Sequence, residues 1–141
     1  MSIPAPQPLA LVIEDVQEQA ALFSQALQWA GYETEVVNDG LEGQKRLAEQ
    51  TPYLLLLDLH IPKISGEDLL EQIKQSPTLR GMKVILATGD SSLAEKLHER
   101  ADLVLLKPID VFQLRDLAAR LLGEKQALSQ APSPVLITPI P

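Results

Sequence analysis

The sequence predicts an α/β domain in which a five-stranded parallel sheet carries helices on both faces. Three observations predict it. Short runs at Leu9–Ile13, Glu35–Val37, Leu54–Leu57, Val84–Ala87 and Leu103–Leu106 recur along the chain, with segments of helical length between them. The intervening segments place apolar residues at steps of three and four, the spacing of one helix face. Runs such as Leu54–Leu57 are apolar at every position, as strands are when both faces of a parallel sheet are covered.

Each element has its own warrant. The opening arm, MSIPAPQP (residues 1–8), contains three prolines and reads as extended chain before the first strand. In the first helix Val16, Ala20, Phe23, Leu27 and Ala30 form one stripe. Gly31 is placed to end it, because glycine tolerates the left-handed conformation of a helix C-cap. The second helix, Leu41 to about Gln50, contains Gly43, which costs about 1 kcal/mol relative to alanine in a helix interior. A third helix starts near Gly66, buries Leu69, Leu70 and Ile73, and stops before Pro77, whose ring disfavours helical geometry at the preceding residue. Leu93 and Leu97 mark a short fourth helix, and the last begins near Asp110 and buries Val111, Leu114, Ala118 and Leu121. The domain therefore spans residues 9–123. A tail, residues 124–141, follows; it ends in SQAPSPVLITPIP, with four prolines, and reads as disordered chain or the start of a linker.

Composition narrows the function classes. With 141 residues, 45% hydrophobic and 22% charged, the chain suits one compact domain. No apolar run approaches the roughly 20 residues of a membrane helix, and the N-terminus lacks the basic segment of a secretory signal. A cytoplasmic protein with no membrane partner is expected. The absence of cysteine excludes disulfides, thiolate metal sites and thiol nucleophiles. Twelve Lys plus Arg against nineteen Asp plus Glu, a net charge of −7, oppose binding to a polyphosphate, so direct contact with nucleic acid is not expected.

In an open parallel sheet, ligands bind beyond the carboxyl ends of the strands. Here the first strand is followed by Glu14 and Asp15, the third by Asp58, the fourth by Thr88, and the fifth by Lys107 and Pro108. Parallel strands bring all of these to one edge. Three carboxylates within about 4 Å repel by roughly 4 kcal/mol per pair at an effective dielectric near 20, so the group calls for a cation. Oxygen ligands point to a hard divalent ion. Mg²⁺ keeps several waters, takes one or two carboxylates and completes its octahedron with phosphate oxygens, which suits this set better than caged Ca²⁺. Each residue also has a plainer role open to it: Asp15, with Glu18 three positions later, could cap the first helix, Asp58 could be a loop carboxylate, Thr88 a turn hydroxyl and Lys107 a solvated cation. Independent caps do not explain five groups at the ends of four strands, and the joint placement favours one site.

Taken together, Glu14-Asp15, the run LLLLDLHIPKISG around Asp58, the segment VILATGD containing Thr88 and the Lys107-Pro108 pair resemble a response-regulator receiver domain of two-component signalling systems. The resemblance covers about Leu9 to Leu122. It implies a flavodoxin-like strand order, 2-1-3-4-5, and a phosphorylation-dependent switch rather than an enzyme. It implies that Asp58 is the phosphoacceptor, that Glu14, Asp15, Asp58 and the main-chain carbonyl of His60 hold Mg²⁺, and that Thr88 and Lys107 contact phosphoryl oxygens. The partners implied are a histidine kinase or phosphotransfer protein as donor and a downstream target protein, with a phosphorylation-linked dimer open. The chemistry agrees with these roles. Asp58 is a nucleophile toward phosphohistidine, and the domain assists its own phosphotransfer and dephosphorylation by positioning and charge neutralisation. The Thr88 hydroxyl can donate to a phosphoryl oxygen and draw its loop toward the site. Pro108 allows a cis peptide after Lys107.

Three features vary on the family pattern. Val104 stands three positions before Lys107, where the family typically has Tyr or Phe. The segment from Thr88 to Lys107 is about three to four residues short, one helical turn. His60 and Asp90, each two residues beyond Asp58 and Thr88, sit where side chains can approach the phosphoryl group and its attacking water, and are read as modulators of its lifetime. Two other readings stay open. A flavin or nucleotide binder on this fold would need a loop after the first strand that welcomes phosphate, and Glu14-Asp15-Val16-Gln17-Glu18 repels it. A receiver-like interaction module working without phosphorylation is favoured by Val104 and the short fourth helix, and opposed by the intact Glu14, Asp15, Asp58, Thr88 and Lys107. Beyond Leu122 there is neither periodicity nor a basic recognition helix, so the protein is expected either to signal by protein contact or to be part of a longer chain.

Overall fold

Strand and helix alternate through the computed structural model, which describes residues 6–130. In chain order the elements are β1 (Leu9–Ile13), α1 (Gln17–Ala30), β2 (Glu33–Val37), α2 (Gly40–Glu49), β3 (Leu54–Asp58), α3 (Gly66–Gln75), β4 (Lys83–Thr88), α4 (Ser91–Leu97), β5 (Leu103–Leu106) and α5 (Val111–Gln130). Single 3₁₀ turns follow α3 at Pro77–Leu79 and α4 at His98–Arg100. The strands pair in parallel in the order β2-β1-β3-β4-β5, as expected.

Successive strand residues point to opposite faces, so each central strand feeds two cores. Ala10, Val12, Leu54, Leu56, Ile85 and Ala87 pack against Phe23, Ala26, Leu27, Leu114, Ala118 and Leu121 of α1 and α5. Leu11, Ile13, Leu55, Leu57, Val84 and Leu86 pack on the other side against Leu47, Leu69, Leu70, Ile73 and Leu97 of α2, α3 and α4. Two covered faces are why β3 tolerates no polar residue before Asp58. The α5 side is further tied by hydrogen bonds from the Tyr32 hydroxyl to the Ala118 carbonyl (2.9 Å) and from the Tyr53 hydroxyl to the Leu121 carbonyl (2.7 Å).

The structure departs from the sequence expectation at several points. Val16 is 44% exposed, because it precedes α1 in extended geometry (φ −86°, ψ 110°) and the helical stripe does not reach back to it. Ala26 completes the buried face instead. Ala30 and Val111 are only half-buried. Strand β2 begins at Glu33 rather than Glu35, since main-chain pairing with Leu9 and Ala10 continues through the polar pair Glu33-Thr34 on this edge strand. Gly43 serves packing: a Cβ there would lie 2.4 Å from Ile13 Cδ1, so glycine lets α2 seat on β1. Gly31 ends α1 at φ 112°, as anticipated. Helix α5 runs to Gln130, past the expected boundary at residue 123. Residues 124–130 (EKQALSQ) are mostly good helix formers, and no proline intervenes before Pro132. The rest of the expected tail, and residues 1–5 of the arm, lie outside the described residues. Among the described residues no helix is long and apolar enough to cross a membrane.

Candidate functional site

The sheet register delivers the strand-end residues to one place. Glu14 extends β1 by one residue, its N–H donating to the Val37 carbonyl (3.1 Å). Asp58 closes β3 opposite Ala87, and Thr88 closes β4 opposite Leu106. The Lys107 N–H donates to the Thr88 carbonyl (2.8 Å), which carries the lysine one step beyond β5, and the Lys107–Pro108 peptide is cis. Glu14, Asp58 and Thr88 are 1%, 3% and 0% exposed, whereas Asp15 is exposed.

The charges meet on one ammonium. Lys107 Nζ donates to Glu14 Oε1 (3.0 Å), Asp58 Oδ2 (3.1 Å) and Gln19 Oε1 (2.6 Å). Burial pushes the Glu14 carboxyl up to about 7, the nearby Asp58 carboxyl adds to the rise, and Lys107 and the Val16 N–H oppose it. Burial works against the charge on Lys107, but hydrogen bonds to Glu14 and Asp58 outweigh it and hold the ammonium above its ordinary pKa. Carboxylate oxygens of Glu14, Asp15 and Asp58 lie within 4.8 Å of one another. An all-oxygen set this close could hold a hard divalent cation. Asp15 does not cap α1, whose N-cap is Val16 with no side-chain cap bond, so the plainer reading of that residue fails.

The loops after β3 and β4 complete the site. The His60 N–H donates to Asp58 Oδ1 (3.0 Å), and His60 Nε2 lies 3.2 Å from Thr88 Oγ1. The same hydroxyl accepts the Asp90 N–H (3.0 Å). The Asp90 carboxylate turns away to cap α4, Oδ1 accepting from the N–H groups of Ser92 (3.0 Å) and Leu93 (3.1 Å). Val104 packs among the α4-side core with Leu93 and Ala101.

Two residues escaped the sequence reading. Gln19, in the first turn of α1, reaches Lys107 across 88 positions; its signal was a polar side chain one turn beyond Asp15 on the helix that opens at the site. The sequence marks Gly66 only as a helix start, yet a Cβ there would fall 2.4 Å from Leu59 Cα and 2.9 Å from the Asp58 carbonyl oxygen. Only glycine lets α3 press on the backbone that carries Asp58.

Comparison with known proteins agrees with this geometry. Residues 10–119 match the response regulator receiver domain family. The chain is 31% identical over 134 residues to the phosphate regulon transcriptional regulatory protein PhoB of Rhizobium meliloti, a match covering 93% of this chain and 56% of that protein. It is 27% identical over 117 residues to the polar-differentiation response regulator DivK of Brucella anthropi, covering 81% and 95% respectively. The chain spans about half the length of the first curated relatives it matches. Among solved structures, the signal receiver domain described as that of a Luxo repressor protein from Vibrio parahaemolyticus superposes with a TM-score of 0.77 at 29% identity, covering 91% of this chain and 99% of that one.

Proposed function

This chain belongs to the response regulator receiver domain family, and we propose that it is a switch that takes a phosphoryl group onto Asp58 from phosphohistidine on a histidine kinase or phosphotransfer protein. The observation that carries the reading is that buried Asp58 accepts from the Lys107 ammonium and has the Glu14 and Asp15 carboxylates within 4.8 Å. An Asp58 oxygen forms the new O–P bond while the P–N bond breaks, and the electron pair leaves on the imidazole nitrogen, which takes up a proton. Little covalent help is needed, because phosphoryl transfer passes through a loose transition state. Lys107 follows the developing charge onto a phosphoryl oxygen. Thr88 turns its hydroxyl to donate to another, and the backbone beyond it follows. Mg²⁺, held by Glu14, Asp15, Asp58 and the main-chain carbonyl of His60, would neutralise charge on the transferring oxygens.

Reversal is hydrolysis. Water forms a bond to phosphorus as the O–P bond to Asp58 breaks, releasing inorganic phosphate and the carboxylate. His60, its ring beside Thr88, and Asp90, two residues beyond Thr88, set its rate. Residues 9–123 are the switch, and a downstream target protein reads its surface. Incubation with acetyl phosphate and Mg²⁺ should add one phosphoryl mass that is lost in Asp58→Asn and on chelation. Labelling that persists in either would overturn the assignment. Val104, with no aromatic ring to move, favours a second reading in which a partner recognises the unphosphorylated domain; wild-type protein that takes no label yet binds its partner would support it.

A further inference from the structure

We propose that Gln19 is a positioning residue that holds the Lys107 ammonium over Asp58 while the charges around it change. An ammonium has three N–H donors, and all three are used: Gln19 Oε1 at 2.6 Å, Glu14 Oε1 at 3.0 Å and Asp58 Oδ2 at 3.1 Å. Two of those acceptors are carboxylates that phosphorylation and cation binding alter. Once Glu14 faces a cation and Asp58 carries a phosphoryl group, their pull on Lys107 is no longer the one seen here. The amide oxygen of Gln19 is neutral, lies outside the carboxylate cluster and makes the shortest of the three contacts.

The anchor is also well founded. Gln19 is half-buried in the first turn of α1, and α1 is fixed to the sheet by Phe23, Ala26 and Leu27. Around the pair, Leu22, Phe23, Pro108, Ile109 and Val111 line an apolar recess, and none of these side chains could replace the amide oxygen. A lysine is a flexible four-carbon stem with a strongly hydrated head. Without Gln19 the head has water as its alternative, and the geometry that Asp58 needs is held for less of the time.

The inference rests on Asp58 being the phosphoacceptor, and the test separates the two. Labelling by acetyl phosphate, followed by intact mass over an extended time course, is compared among wild type, Gln19→Leu, Lys107→Ala and the double variant. Leucine keeps the helix propensity and approximates the bulk, and it removes the acceptor. Gln19→Leu should label about fivefold more slowly, a loss of positioning rather than of binding. The Mg²⁺ concentration for half-maximal rate should move by less than about twofold, since Gln19 is no metal ligand. In the Lys107→Ala background Gln19→Leu should add almost nothing, because a residue acting through another has no effect once that other is gone. Equal rates in wild type and Gln19→Leu, or an undiminished loss in the Lys107→Ala background, would overturn the proposal while leaving the phosphoacceptor reading intact. Wild type that takes no label at Asp58 would overturn both.

Discussion

Helices α4 and α5 flank β5 and are built to opposite standards. Helix α5 buries Leu114, Leu117, Ala118 and Leu121, and two tyrosine hydroxyls donate to its carbonyls from distant parts of the chain. Helix α4 has seven residues and fully buries only Leu97, with Leu93 half-buried against the core on that side of the sheet. An isolated helix of that length is marginal in water. What ties α4 to its surroundings is the Asp90 cap and the exposed ion pairs Lys96–Glu67 (3.6 Å) and Arg100–Glu71, each worth about 0–1 kcal/mol. The site divides along the same line. Glu14, Gln19 and Lys107 stand against the firmly packed α1–α5 side, while Thr88 and Asp90 lead directly into α4. A switch needs a fixed reference and a part with two arrangements, and local stability is where the two can be told apart.

The largest break in this contrast comes from its rigid half. Leu114→Ala, at a fully buried position of α5, should lower global stability by about 2–5 kcal/mol in urea titration. Leu93→Ala on α4, half-buried, should cost no more than about 1–2 kcal/mol. Equal losses at the two sites would mean that α4 is as integral to the fold as α5.

The site's own charge supplies the next effect. A carboxyl raised by folding stabilises fully below its unfolded pKa, and that contribution disappears as pH rises through the folded value. Glu14, raised to about 7, should therefore make the metal-free protein lose stability between about pH 4.5 and 7. The same proton competes with the cation, so Mg²⁺ affinity, followed by calorimetry, should rise about tenfold from pH 6 to pH 8. Affinity that is flat across this range would show that Glu14 is already ionised, and that Lys107 alone balances the cluster.

Some of this was legible in the sequence and some was not, for identifiable reasons. Leu54–Leu57 reads as a central strand because burial on two faces leaves no polar position. Asp58, Thr88 and Lys107 read as one site because parallel strands align their carboxyl ends. Periodicity marks apolar spacing, however, and not helix ends: it puts Val16, exposed ahead of α1, in the stripe, and it ends the last helix at residue 123 although α5 runs to Gln130. Gln19 and Gly66 act through contacts set by packing between elements, Gln19 on Lys107 far along the chain and Gly66 on Leu59 across a tight loop. No spacing rule carries such contacts.

On the labile side, Asp90→Ala removes the acceptor of the Ser92 and Leu93 N–H groups, a loss of about 1 kcal/mol for a helix cap. With only Leu97 fully buried on α4, the loss should appear as faster amide exchange across α4, with little change in the global urea midpoint. A midpoint that falls as far as in Leu114→Ala would place α4 in the global cooperative unit.

The smallest effect tests the mechanism of the switch. In the resting protein Thr88 Oγ1 is held by the Asp90 N–H and faces His60 Nε2. A phosphoryl group on Asp58 offers this hydroxyl a charged acceptor, and charge-assisted hydrogen bonds are roughly twice as strong as neutral ones. Val104 packs against the core on the α2–α3–α4 side of the sheet, as Leu93 and Ala101 do; being β-branched, with few χ1 states, it can fill a gap opened by that movement but cannot swing a ring across the surface. The response must then pass through the backbone from Thr88 to Asp90 and into α4. Mg²⁺ with beryllofluoride, a phosphoryl mimic, should slow amide exchange from Asp90 to Arg100 by about three- to tenfold, the scale of a shift under about 1.4 kcal/mol in a local opening equilibrium. Exchange in α5 should stay unchanged, because its packing does not depend on where Thr88 donates. Slowing that appears equally in both helices would mean that the mimic stabilises the domain as a whole, and α4 would lose its claim to be the part that moves.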